Sequence, residues 1–135
     1  MSNLLGKTTS RIHLVWRMTV GLMASAVITT AAWAHHSGAM FDQTKKITMD
    51  ATVAKFEWGN PHVFVVVDGT NDKGEPVRYS LECSSPNLMG HAGWKFNTLK
   101  AGERVTVEYF PLRNGDSGGM LSTVKLPDGK VLNAW

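Results

Sequence analysis

His35 and His36 stand directly after Ala32-Trp33-Ala34, a small-x-small triplet of the kind that signal peptidase cuts. Cleavage after Ala34 makes His35 the first residue of the mature protein. A free α-amine and an imidazole on one residue form a metal chelate. With a reference pKa of about 7.7–8, the amine is partly neutral near pH 7 and available to a metal. The amine and the His35 ring close one chelate ring, and a second imidazole completes a T-shaped set of three nitrogens. Such tetragonal, nitrogen-rich coordination suits Cu(II), which also heads the divalent affinity series. The competing reading is a tail whose tandem histidines do nothing.

Two further histidines follow the leader. His62 comes after Trp58-Gly59-Asn60-Pro61, a turn that can deliver an imidazole to a barrel rim as the missing ligand. The bland alternative is that it hydrogen-bonds a backbone carbonyl in that turn. His91, between Gly90 and Gly93 just after a short helix, ranks below His62 as a ligand. Met40 and Met120 are soft donors for Cu(I), yet methionine in a small barrel is usually core filler. Trp58, Asn60 and Trp94, with Glu57 and Glu82 nearby, can line a rim where a ring-bearing ligand stacks. Alternatively, the two tryptophans plug the barrel ends. The single cysteine, Cys83, excludes an intramolecular disulfide. It falls on the apolar side of the alternation Val77, Tyr79, Leu81, Cys83 and is read as a buried thiol, with soft metal ligation the lesser alternative.

Residues 1–34 carry Lys7, Arg11 and Arg17, no acid before Asp42, and an apolar run from Met18 to Ile28. That run is about half the ~20 residues a membrane span needs, so export and removal are expected rather than a retained anchor. Without twin arginines, the general secretory route to the periplasm is expected. Three of the 14 Lys and Arg lie in this leader, leaving 11 against 11 Asp and Glu. A balanced chain gives no footing for nucleic acid or anionic membrane, and no membrane span remains after processing. The partners expected are a metal ion, a small molecule or a periplasmic protein. There is no nucleophile elbow, Cys-x-x-Cys, phosphate loop or His-Glu-x-x-His, and the scattered carboxylates define no acid–base pair. A non-enzymatic binding module is expected, with a redox enzyme third in order.

The elements that must position these residues are strands. Residues 35–45 read as an extended N-terminal arm and 46–135 as one domain. Ile47, Met49, Ala51 and Val53 alternate as a first strand running to Trp58. His62 to Asp68 is a second, apolar on both faces as in a strand covered on both sides. Val77 to Cys83 is a third. Ser84 or Ser85 can cap a short helix with Pro86 in its first turn and Gly90 at its end, Leu88 and Met89 facing the core. A fourth strand spans Arg104 to Phe110. Asn114-Gly115 and Gly118-Gly119 mark a loop, Met120 to Leu126 a fifth strand, and Asp128-Gly129 a tight turn into Val131-Leu132.

A helix between the third and fourth of five or six strands is the order of an all-β, oligonucleotide/oligosaccharide-binding-like barrel. A two-sheet sandwich is the competing architecture. Ala34-His35-His36-Ser37, Phe41-Asp42, Trp58-x-Asn60-Pro61-His62, Ser85-Pro86-Asn87-Leu88, Gly93-Trp94 and Ala101-Gly102-Glu103 together resemble a bacterial family of small exported proteins of unknown function. The resemblance runs over residues 34–132. It implies a single periplasmic domain and supplies no activity, and Cys83 and His91 are not assumed to belong to its pattern. The leading expectation is a periplasmic copper-binding module using His35, His36 and His62. The alternative is an accessory protein docking an organic ligand or a partner at the Trp58–His62 rim.

Overall fold

Alternating apolar residues become strands that close on themselves. The computed structural model describes residues 38–135, of which Met40–Trp135 forms one compact unit. The leader, His35 and His36 lie outside the described residues. The elements are β1 (Ile47–Glu57), β2 (Phe64–Thr70), β3 (Pro76–Glu82), the helix α1 (Pro86–His91), β4 (Arg104–Pro111), β5 (Gly118–Lys125) and β6 (Val131–Asn133).

Antiparallel pairing gives the order β3-β2-β1-β4-β5-β6, and β3 also pairs with β5. That last ladder is parallel, matching Ser80, Leu81 and Glu82 to Gly118, Gly119 and Met120. It closes a five-stranded barrel in the circuit β1-β2-β3-β5-β4, with β6 outside on β5. This is the oligonucleotide/oligosaccharide-binding arrangement, and closure rules out the sandwich. β1 serves two neighbours, its first half on β4 and its second on β2. Ala54 is an extra residue between Val53 and Lys55 in the register against β2, and such a bulge bends and twists a strand enough for it to be shared.

The interior is filled by Val53, Val63, Val65, Val67, Leu81, Val107, Leu121 and Val124, all essentially inaccessible to water. β2 corrects one expectation. Phe64 and Val66, its outward residues, are only half-buried, because a barrel has a single interior and shields the other face only in part. The ladder also starts at Phe64, so His62 and Val63 precede the strand. In α1 the Ser85 hydroxyl accepts from Leu88 N–H and Pro86 takes the first turn, as the sequence predicts. A six-residue helix offers the core one side only: Met89 is buried while Leu88 is 59% exposed. The helix runs past Gly90, and Gly93, at φ 91°, takes the left-handed conformation that follows its end. Gly118 and Gly119, expected in a loop, open β5 instead. Tyr79 and Val77, at the far end of β3, are only partly buried because that end of the barrel is open.

The other end is closed. Trp94 is 2% exposed and packs in the cluster that holds Met89, Leu132 and Ala134. Its indole Nε1–H donates to the Asn133 carbonyl at 2.7 Å, which removes the cost of burying that polar group. Phe56 stacks against it with ring centroids 5.9 Å apart. Among the described residues no helix is long and apolar enough to cross a membrane.

Candidate functional site

His62 is held from three directions. The Asn60–Pro61 peptide is cis and precedes it. Beyond the end of the β2–β3 ladder, Val63 N–H donates to Ser84 O at 3.0 Å and Cys83 N–H to Val63 O at 2.8 Å, so the backbone beside the ring is fixed. The ring itself is anchored by Nδ1 to the Cys83 carbonyl at 3.1 Å. A carbonyl only accepts, so Nδ1 carries the hydrogen and the neutral ring keeps its lone pair on Nε2. Nε2 faces Glu82 Oε1 at 3.6 Å. Two acceptors at that separation leave a place for a proton or a metal ion between them. The side chains of His62 and Glu82 are 31% and 17% exposed, open enough for an ion to arrive yet shielded enough for charge to count. The Trp135 ring lies 6.0 Å from the imidazole.

Glu82 also lines a shallow groove of about 200 Å³ on the outside of the barrel, with Met40, Phe41, Phe64 and Leu112. Phe41 is 2% exposed there and bridges Leu112. Backbone bonds from Arg113 N–H to Met40 O at 2.9 Å and from Asp42 N–H to Pro111 O at 2.8 Å tie this stretch down. Met40 and Phe41 are therefore fixed in the groove that Glu82 also lines.

The remaining sequence candidates are spread out. His91 ends α1 and is exposed. Asn60 is exposed and Trp58 half-buried against the core, its ring edge-on to Phe56 at 5.7 Å. Trp94 belongs to the core and presents no ring face to a rim. Cys83 is fully buried, and burial, followed by the neighbouring Glu82 charge, pushes its thiol far up from its ordinary value. It is not a thiolate, which is the form that ligates metal. Cys83 should resist iodoacetamide in the native protein and alkylate promptly in denaturant; rapid native alkylation would show that the β3 end opens. Among the described residues no three His, Cys, Asp or Glu side chains converge as a metal-holding group.

Sequence reasoning missed the pairing of His62 with Glu82. The signal was there in the hairpin: counting back from the Asn71–Gly74 loop sets Phe64 opposite Glu82, which puts His62 on the diagonal from Glu82. Residues 23–122 match the family described as Family of unknown function (DUF6152). No curated protein and no solved structure matches the chain.

Proposed function

The chain belongs to that family of unknown function, and from its own residues we propose a periplasmic copper-binding module whose ligands are His35, His36 and His62, with Glu82 as a carboxylate donor. The observation that supports this most is the placement of His62, with Nδ1 donating to Cys83 O and Nε2 facing the Glu82 carboxylate at 3.6 Å. Metal-bound histidines characteristically donate the other ring N–H to a carbonyl or carboxylate, which fixes the tautomer and raises ligand basicity. His36 precedes Met40 by four residues, a reach of up to about 14 Å for extended chain, and Met40 shares a groove with Glu82. Export by the general secretory route and cleavage after Ala34 are part of the proposal. They convert His35 from an interior residue into an amine–imidazole chelate.

Intact mass of the exported protein with and without Cu(II) gives the cleavage site and stoichiometry together. A mature chain starting at His35 and binding one Cu(II) is expected. A retained leader, or cleavage well upstream, overturns the chelate. A form with Gly-Ser-Gly-Ser ahead of His35 lacks the amine at that residue and should bind Cu(II) about 100-fold more weakly, with His62→Ala costing at least about tenfold, as for loss of groups that hold or orient a metal. Equal affinity of the processed and extended forms would reduce the tandem histidines to a tail. The rim at Trp58 and Asn60, docking an organic ligand or a protein, would then become the better reading.

A further inference from the structure

The open end of the barrel is a cleft of about 570 Å³ that shares no residue with the proposed copper ligands. Its floor is made of the inward residues that the alternation of β1, β3 and β4 leaves at the strand ends: Met49, Val77, Tyr79 and Tyr109. Its rim carries Asp72 and Asp116 and no lysine or arginine; Asp50 also borders it, but its carboxylate turns to Thr106 Oγ1 on the outer face, beside Arg104 and Lys125. None of these carboxylates is in a salt bridge among the described residues. Asp116 accepts from Asn114 Nδ2 at 2.6 Å, which leaves its charge intact.

Tyr109 supplies an independent sign that the cleft takes a ligand. It is 4% exposed, yet its hydroxyl makes no hydrogen bond among the described residues. No side-chain polar atom that is wholly shut off from solvent lacks a partner there, so this hydroxyl is the part of the ring that meets the cleft. The ring is enclosed while its O–H opens on the cleft, where water or a ligand must complete it. Burial first, then the neighbouring Tyr79 and Asp72, push its pKa up to about 12, so it remains an O–H group. The Tyr79 ring stands 6.0 Å away, tilted by 51°, and its own hydroxyl reaches the Thr70 carbonyl at 3.5 Å.

The two loops that form the walls are pre-set. Asn71 Oδ1 accepts from Lys73 and Glu75 N–H, and Asn71 N–H bonds Glu75 O. Asn114 Oδ1 accepts from Asp116 N–H.

We infer that this mouth binds a small organic cation with an apolar body, its ammonium between Asp72 and Asp116, its body on the tyrosines, and the Tyr109 hydroxyl bonded to it. Unpaired carboxylates around a concave, low-dielectric wall raise the local concentration of cations, and aromatic faces add cation–π attraction. A bare metal ion fits less well, because the carboxylates do not converge into a three-ligand group and the floor is apolar. An anion is repelled.

The probe is phenethylammonium chloride, with 2-phenylethanol as its uncharged counterpart, titrated into the purified protein in the presence of EDTA by amide NMR shifts. The ammonium should bind at least about tenfold more tightly at low salt, and the difference should fade at 1 M NaCl, where screening acts within about 3 Å. Asp72→Asn with Asp116→Asn should abolish the preference. Tyr109→Phe should weaken the ammonium about fivefold, the worth of one hydrogen bond, with an unchanged melting temperature because the hydroxyl has no protein partner to lose. Equal affinity for the two probes, no binding of either, or an indifferent Tyr109→Phe overturns the inference. EDTA and intact His62 keep the result separate from the fate of the copper reading.

Discussion

Val107→Asp is expected to leave no folded protein at neutral pH. Val107 is 0% exposed and sits in the middle of β4, opposite Met49 on β1 and Val124 on β5. No residue of the surrounding core cluster carries a charge, so a carboxylate there meets no cation. Burying an unpaired charge costs several kcal/mol at least, and the group neutralises instead of staying ionised. That is comparable with the whole stability of a domain this size, about 5–15 kcal/mol. The penalty grows as pH rises above about 3.9, the unfolded carboxyl's ordinary value, so any residual folding should appear only in acid. Val107→Ala, which removes two methyl groups and adds no charge, should cost about 2 kcal/mol and still fold. Far-UV circular dichroism and thermal melts of the two variants decide the matter. A Val107→Asp protein that melts like the parent would mean that β4 presents its other face inward.

That face was readable from sequence because β1 and β4 alternate cleanly, with Ile47, Met49 and Ala51 answering Tyr109, Val107 and Val105. The Ser85-Pro86 start of α1 and the Asp128-Gly129 turn were equally local, and both follow from backbone chemistry at one or two residues. The closure was not local. The parallel β3–β5 ladder joins Ser80 to Gly118, and no pattern within either strand announces it. Gly118-Gly119 reads as a loop because glycine pairs usually mark loops, whereas these two are small so that strands can approach. The His62 turn was legible for the same reason as the caps: Asn60-Pro61 constrains the chain just ahead of it. The facing of Nε2 and Glu82 is a consequence of hairpin register. The cleft is further from sequence still, since Tyr79 and Tyr109 carry the alternation of core residues. Only the position of the barrel mouth separates a core tyrosine from one that lines a site.

Gly119→Ala should destabilise the barrel by about 3 kcal/mol, at the upper end of what overpacking costs. A Cβ at this position runs into the Phe110 carbonyl oxygen, and lies 2.7 Å from Tyr109 Cδ2 and 3.1 Å from the Phe110 carbonyl carbon. The first obstacle is backbone and cannot step aside, because Phe110 and Pro111 are paired with Met120 and Gly119 while Gly119 is also matched to Leu81 across the closing seam. Relief therefore has to come from parting β4 from β5 or β5 from β3, and either opens the barrel. Gly59→Ala is the control, since a Cβ there has no atom within 4 Å; it should be neutral or gain slightly through the unfolded chain. The second obstacle ties stability to the mouth of the barrel. Tyr109 must shift its ring to make room for the added methyl, and that ring carries the unpartnered hydroxyl of the cleft. Chemical denaturation should thus show a large loss for Gly119→Ala and none for Gly59→Ala. Phenethylammonium affinity, measured on the fraction of Gly119→Ala that still folds, should fall as far as it does for Tyr109→Phe. A Gly119→Ala barrel as stable as the parent would mean that β3 and β5 are not held together at Leu81 and Gly119.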